Sequence, residues 1–253
     1  MRRTALAVLL GLTAIAAVAV IVNARQAAEA EAPGPDPVEW TTRSAPPVPS
    51  EPVPAVPAGA DAVPALSFSL VTTVEHDGVT RTTTQQVTRT AERARLALEG
   101  GRREWLFVRN PVYRDRVSGY LIDHDARRVL VHDDAELRMV VQVRGWADVL
   151  TTRVDPAALD ALHATGRTAT EAGYAFAEFV AAEADATGAV DVWWNAELLL
   201  PLRLTMRAAD GSRVRSRVEA LRAGADTDVL RDPAARFPGY AQLDVSDASD
   251  DHR

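Results

Sequence analysis

Hydrophobic and polar positions alternate most clearly over Val190–Leu221. Leu200, Leu202, Leu204 and Met206 share one parity, whereas Arg203 and Arg207 take the other. A period of two with one apolar side is the mark of a half-buried β-strand. The segment predicts three antiparallel strands: Val190–Trp194, Leu198–Ala208 and Arg213–Leu221. Asn195-Ala196-Glu197 joins the first two, and Ala209-Asp210-Gly211-Ser212 forms a tight turn between the last two. An Asp-Gly step supplies the positive φ such turns require. One face of this sheet must be covered, and the other can meet water.

The same alternation starts near Ala65. Leu66, Phe68, Leu70, Thr72 and Val74 form one side of a strand that ends at Glu75-His76-Asp77-Gly78. Val79–Thr90, rich in Thr and Gln, predicts an exposed or edge strand. Arg93–Leu98 and Arg103–Arg109 follow, turned at Gly100-Gly101, and Asn110-Pro111 breaks the second of them. Val117–Ile122 and Arg128–His132 pair next. Asp133 or Asp134 then caps a helical stretch with an apolar face of Leu137, Val140, Val141, Trp146, Val149 and Leu150, interrupted at Gly145. Asp155-Pro156 starts a short helix to His163, ended by Gly166. Thr168–Ala182 resumes strand character, and Ala223–Ala235 predicts a short helical or irregular cap. Strand groups flanking a helical middle make an α+β fold: a curved antiparallel sheet, an incomplete β-barrel, with helices covering its concave face.

Two segments lie outside that pattern. Thr4–Val22 is an uncharged apolar run of 19 residues after Arg2 and Arg3. At 1.5 Å per residue it spans about 28 Å, close to a bilayer's hydrocarbon core. Its length favours an uncleaved anchor over a cleaved signal, although small-residue sites at Val22-Asn23-Ala24 and Ala28-Glu29-Ala30 keep cleavage and secretion open. The basic residues before the span place the N-terminus inside and the remainder on the periplasmic or extracytoplasmic side. Residues 32–64 carry ten of the fifteen prolines. Such a segment favours polyproline II and acts as a stiff spacer, about 100 Å long if extended. The expected organisation is therefore an anchor or signal (1–25), a linker (26–64), a half-barrel domain (65–243) and an acidic tail (244–253).

Composition removes several functions. A net charge of −7 argues against a nucleic-acid partner. The absence of Cys removes disulfides, thiol catalysis and thiolate metal sites. No Gly-x-Ser-x-Gly elbow or phosphate loop is present. Asp123-His124-Asp125 and His132-Asp133-Asp134 are the richest polar clusters, but a strand separates the two histidines. A solvated turn and a helix cap explain them better than zinc does. No cofactor, metal or catalytic centre is expected. Arg203, Arg207, Arg213, Arg215 and Arg217 form a basic stripe on the polar face. The stripe serves solubility or faces anionic headgroups or an acidic partner.

The order of motifs resembles the lipoprotein-carrier superfamily, LolA-like and RseB-like half-barrels. The resemblance is carried by Ala172-Gly173-Tyr174-Ala175-Phe176, Val192-Trp193-Trp194-Asn195-Ala196-Glu197, Leu200-Pro201-Leu202 and Asp210-Gly211. It implies a non-enzymatic fold with a helical lid over an apolar cavity that takes acyl chains or lipidated ligands. The RseB-like alternative is an envelope sensory domain with a filled core and a protein partner. The candidate lining residues are Phe68, Leu70, Trp105, Phe107, Phe176, Trp193, Leu200, Leu202 and Leu204. No binding residue of the family, its lid-holding arginine included, is carried over onto a particular position of this chain.

Overall fold

The computed structural model describes residues 59–181, 190–207 and 211–245. The expected membrane span, nearly all of the proline-rich linker and the acidic tail beyond Val245 lie outside them. Among the described residues no helix is long and apolar enough to cross a membrane.

The strands are β1 (Leu66–His76), β2 (Val79–Arg89), β3 (Arg93–Leu98), β4 (Arg103–Arg109), β5 (Val117–Asp123), β6 (Arg128–His132), β7 (His163–Glu171), β8 (Tyr174–Val180), β9 (Val190–Asn195), β10 (Leu200–Arg207), β11 (Arg213–Ala223) and β12 (Ala241–Asp244). They form one sheet in the order β12-β6-β5-β4-β3-β2-β1-β11-β10-β9-β8-β7. Neighbours are antiparallel except β12, which lies parallel to β6. The first and last long hairpins therefore meet in the middle, where β1 pairs with β11 from Leu66↔Ala223 to Glu75↔Arg213. This is the curved, unclosed antiparallel sheet of an α+β half-barrel.

Three helices sit between β6 and β7: α1 (Asp134–Val140), α2 (Trp146–Leu150) and α3 (Pro156–Leu159). Each starts where the sequence carries a cap. Asp133 closes a capping box with Glu136 over α1, and the Asp155 carboxylate accepts the Ala157 N–H ahead of Pro156. The helices turn Leu137, Trp146 and Leu150 fully inward, onto Trp105, Phe107, Val192 and Trp194. Ala60 and Val63 join the same cluster, and Asp61 bonds Arg114 at 2.6 Å. Packing thus begins N-terminal of Ala65.

The structure alters several details. β2 is an edge only over Val79–Gln85, because β3 pairs with it at Gln86–Arg89 and β1 along its whole length. α3 ends at Leu159, and the chain passes Gly166 inside β7, where the register shifts between Ala164 and Thr168. The Thr168–Ala182 region divides into two strands at Ala172-Gly173, both with positive φ. The far side of the sheet is not wholly open. A 3-10 turn at Thr227–Leu230, α4 (Pro233–Arg236) and β12 fold back over β2–β6: Arg93 of β3 donates to the Leu230 carbonyl, and Leu230, Phe237 and Tyr240 pack on Leu106, Ile122 and Val129.

Helix α1 rests on β5 at a glycine. A Cβ added to Gly119 would meet Leu137 Cδ2 at 2.6 Å, and Leu137 is fully buried. Gly119→Ala should therefore lift α1 and cost about 1–3 kcal/mol. Urea denaturation checks this; an unchanged midpoint would mean that Leu137 relaxes freely.

Candidate functional site

The residues nominated from sequence divide between two clusters. Trp105 and Phe107 stack with centroids 5.5 Å apart on the helix-covered side. Half-buried Leu204 packs there too, opposite Val192. Phe68, Phe176, Trp193, Leu200 and Leu202 belong to a second cluster with Val87, Leu198 and Val218, and Leu70 packs at its margin. The adjacent tryptophans of β9 part company: Trp194 goes under the helices, whereas Trp193 lies on the other face with the Arg167 guanidinium 5.4 Å from its ring. Of the adjacent pair Trp193 and Trp194, alternation left open which lines the concave side; the structure puts Trp194 there, with Trp146 from the apolar helical face.

On the concave side the helices pack apolar side chains against the sheet. Among the described residues, the gap beneath α3 is about 20 Å³, lined by Val154, Leu159, Leu162, Val190, Val192, Leu204 and Met206. That is room for about one water. An acyl chain does not fit in that gap with the helices in place.

One charged side chain ties the helices down. Arg89, at the end of β2, has no exposed surface. It donates to the carbonyl oxygen of Leu150, the last residue of α2, and to that of Leu198 in the β9–β10 connection. Helix C-termini leave carbonyls without partners, so this bond satisfies a group the short helix cannot. Burial pushes the guanidinium down to about 9, still above neutrality, so it stays charged at pH 7. Its Nε, and the Trp146 Nε1 nearby in the roof, are buried without hydrogen-bond partners. The helical segment is braced internally by other groups: Arg144 holds Asp148 through two contacts of 3.0 Å, and Arg153 donates to the Val141 carbonyl. Sequence reasoning missed Arg89 because an arginine alternating with threonine in a polar strand reads as solvent-facing. The signal that remains is its place at the only end of β2 where Val87 and its neighbours are buried.

The histidine clusters separate across the sheet. His132 packs on Trp105 at 5.2 Å, beneath α1. His124 is on the opposite side, bonded to the Tyr240 hydroxyl at 3.0 Å and 3.8 Å from Glu104. Glu104 is fully buried there and pairs with Arg95 and with Arg236, the latter at 2.8 Å. The basic stripe is partly neutralised: Glu75 lies 3.1 Å from Arg215, and Glu219 lies 2.7 Å from Arg217.

No family model and no curated protein matches the chain. Solved structures do. PNGF-II is 12% identical with a TM-score of 0.36, over 74% of this chain and 32% of that one. The Pseudomonas aeruginosa MucA/MucB complex is 20% identical with a TM-score of 0.42, over 69% of this chain and 58% of that one. A LolA superfamily protein from Nitrosomonas europaea is 12% identical with a TM-score of 0.33, over 71% of this chain and 94% of that one. The chain is remotely similar to the LolA superfamily and to MucB. It spans about a third of PNGF-II and rather more than half of the MucB chain. The strand order and register described above establish its fold independently of these likenesses.

Two outcomes test the site. Replacing Arg89 with Met removes the tie but leaves the apolar contacts, which should loosen the roof by about 1–3 kcal/mol. Hydrogen exchange should then quicken at α2 amides while β4 and β5 amides keep their protection; uniform loosening would make Arg89 a general stabiliser instead. The second concerns pH. Burial, opposed by Glu136, Asp133 and Asp244, pushes the His132 imidazole below its ordinary value. Between its folded and unfolded values the unfolded chain then binds more protons, so this contribution is present above about pH 6.5 and is lost as pH falls through the interval. The urea midpoint should drop between pH 7 and 5, and His132→Phe should flatten that drop. Parallel pH profiles for the two proteins would refute it.

Proposed function

We propose that this chain is a non-enzymatic, membrane-tethered extracytoplasmic domain that binds an acyl chain or lipidated segment on the concave face of its half-barrel. The observation that carries the reading is a roof of three short helices over an apolar sheet, tied to β2 by the buried Arg89. Very short helices have little stability of their own, so such a roof is suited to displacement as a unit. Once it lifts, Trp105, Phe107, Val192, Trp194 and Leu204 form an apolar bed. That bed gives affinity in proportion to area and little directional specificity. The 4–22 span and the proline-rich spacer supply the tether and the reach. They set the domain on the outer side of the inner membrane, within range of a lipid surface.

A second reading is favoured by one observation, the gap of only about 20 Å³. In it the half-barrel is an envelope sensory or protein-interaction domain whose interior never opens, and the tether holds it beside a protein partner.

Native mass spectrometry of the domain from Gly59 onward, purified without detergent and mixed with lysolipid, separates the two. The carrier reading expects a stoichiometric acyl-chain adduct that Leu204→Glu abolishes without unfolding the protein. A clean apo mass, with no uptake at any lipid concentration below micelle formation, would leave the interaction domain.

A further inference from the structure

The pairing of β10 with β11 is short. β10 and β11 pair from Arg207↔Arg213 to Arg203↔Arg217 and no further. Beyond that point β10 follows β9 and β11 follows β1, and each does so through an irregularity. The β10–β9 register shifts between Pro201 and Arg203, and the β1–β11 register shifts between Ser67 and Ser69, where β11 carries an extra residue. Ala220 holds φ 52° at that bulge, in the left-handed region that side-chain-bearing residues seldom adopt. Bulges that bend both strands apart are a common way of opening a sheet beside a site. Here they open a cleft of about 340 Å³, lined by Glu171, Leu202, Arg203, Arg217, Val218, Glu219 and Ala220.

The cleft lies on the face away from the helices. Leu204 and Val192 are opposite one another under the roof, so the neighbouring Arg203 and its partners Trp193 and Arg217 point the other way. Its floor is apolar, because Leu202 and Val218 are buried. Its rim holds two arginines directly across from each other, an arrangement that costs stability in a sheet. Arg217 is held by Glu219 at 2.7 Å. Arg203 has no carboxylate within ion-pair distance among the described residues, and neither does Glu171 a cation, although the hairpin of β7 and β8 carries Glu171 to the same rim. The charge of Arg203 acts on Asp191 of β9 at longer range than an ion pair, so among the described residues one cation and one anion face a single cleft with no close partner of opposite charge.

We infer that the seam between β10 and β11 is a binding site for a small zwitterion, a phosphate or carboxylate joined to an ammonium group. Arg203, supported by Arg217, takes the oxyanion, since a guanidinium offers a planar fork to such a group. Glu171 takes the ammonium. The site is independent of the concave face, so it stands or falls separately from the acyl-chain reading.

The test is calorimetric titration of the full-length chain with O-phosphoethanolamine, ethyl phosphate and ethylamine. Phosphoethanolamine should bind. Arg203→Ala and Glu171→Ala should each weaken it about tenfold, the range for one charge-assisted contact. Ethyl phosphate should bind more weakly, with sensitivity to Arg203 but not to Glu171. Dihexanoyl phosphatidylethanolamine identifies the source: tighter binding than the free headgroup points to a lipid, and exclusion points to a free small molecule. Arg203→Glu separates binding from folding. By pairing with Arg217 it should raise the melting temperature while abolishing binding. No heat with phosphoethanolamine, equal binding of ethylamine alone, or unchanged binding in Arg203→Glu would overturn the assignment.

Discussion

A guanidinium with no exposed surface, held by carbonyl oxygens and no carboxylate, is the constraint on which this half-barrel turns. Taking a charge out of water is expensive, and partnering it with neutral carbonyls recovers only part of the cost. What Arg89 does in return is geometric. Through Leu150 and Leu198 it joins β2 to a helix 61 residues away and to a strand connection 109 residues away. The α2 terminus, the β9–β10 connection and the sheet therefore share one fixed point. Apolar packing of Trp146 and Leu150 holds the roof against the sheet but does not fix its registry. A directional bond from a buried charge does. Such a bond is also easily lost as a whole once water reaches it, which is the behaviour expected of a latch rather than of a core.

The opposite face is organised by a second buried charge. Glu104 sits under the C-terminal segment with Arg95 and Arg236, while Leu230, Phe237 and Tyr240 seal the surface around it. This cover reaches from β2 to β6 and ends by adding β12 in parallel to β6. It stiffens the half of the sheet that carries Trp105 and Phe107. Among the described residues the other half, β7 to β11, has no such plate. There the irregularities accumulate: at Ala164–Thr168, at Pro201–Arg203 and at Ala220. The sheet is thus a rigid half joined to a bent half, and the seam between β10 and β11 falls in the bent one.

Much of this architecture was legible in the sequence. Alternation placed nearly every strand from β1 to β11, because one face of each is buried and a period of two follows. The capping residues Asp133 and Asp155 announced α1 and α3 for a local reason that needs no tertiary context. β12 left no trace, since its four residues are all exposed and its pairing is long-range. The interior charges Arg89 and Glu104 were invisible for a related reason. Alternation assigns a charged residue to the solvent face, and only the later-arriving helices and C-terminal segment make those faces interior. The candidate site was half legible. Trp105, Phe107 and Leu204 do lie beneath the roof, whereas Phe176, Trp193 and Leu200 do not: the irregularity between Pro201 and Arg203 separates Leu200 from Leu204, and alternation alone does not tell which of Trp193 and Trp194 faces the helices.

A helix-covered interior and a lipid-binding role are linked through buried apolar area. The roof buries Leu137, Trp146 and Leu150 completely. Exposing three such side chains costs about 5–9 kcal/mol at about 1.5–3 kcal/mol each. An acyl chain of ten buried methylenes returns about 8 kcal/mol at about 0.8 kcal/mol per group. On the acyl-chain reading the ligand would recover part of what the roof gives up, since Val143, Val154 and Leu159 are buried there as well. A ligand with too few methylenes fails to shift the balance, because it supplies less than the roof gives up. Selection by chain length would therefore come from the roof's own burial and from the single bond set of Arg89, without any pocket cut to the ligand's shape.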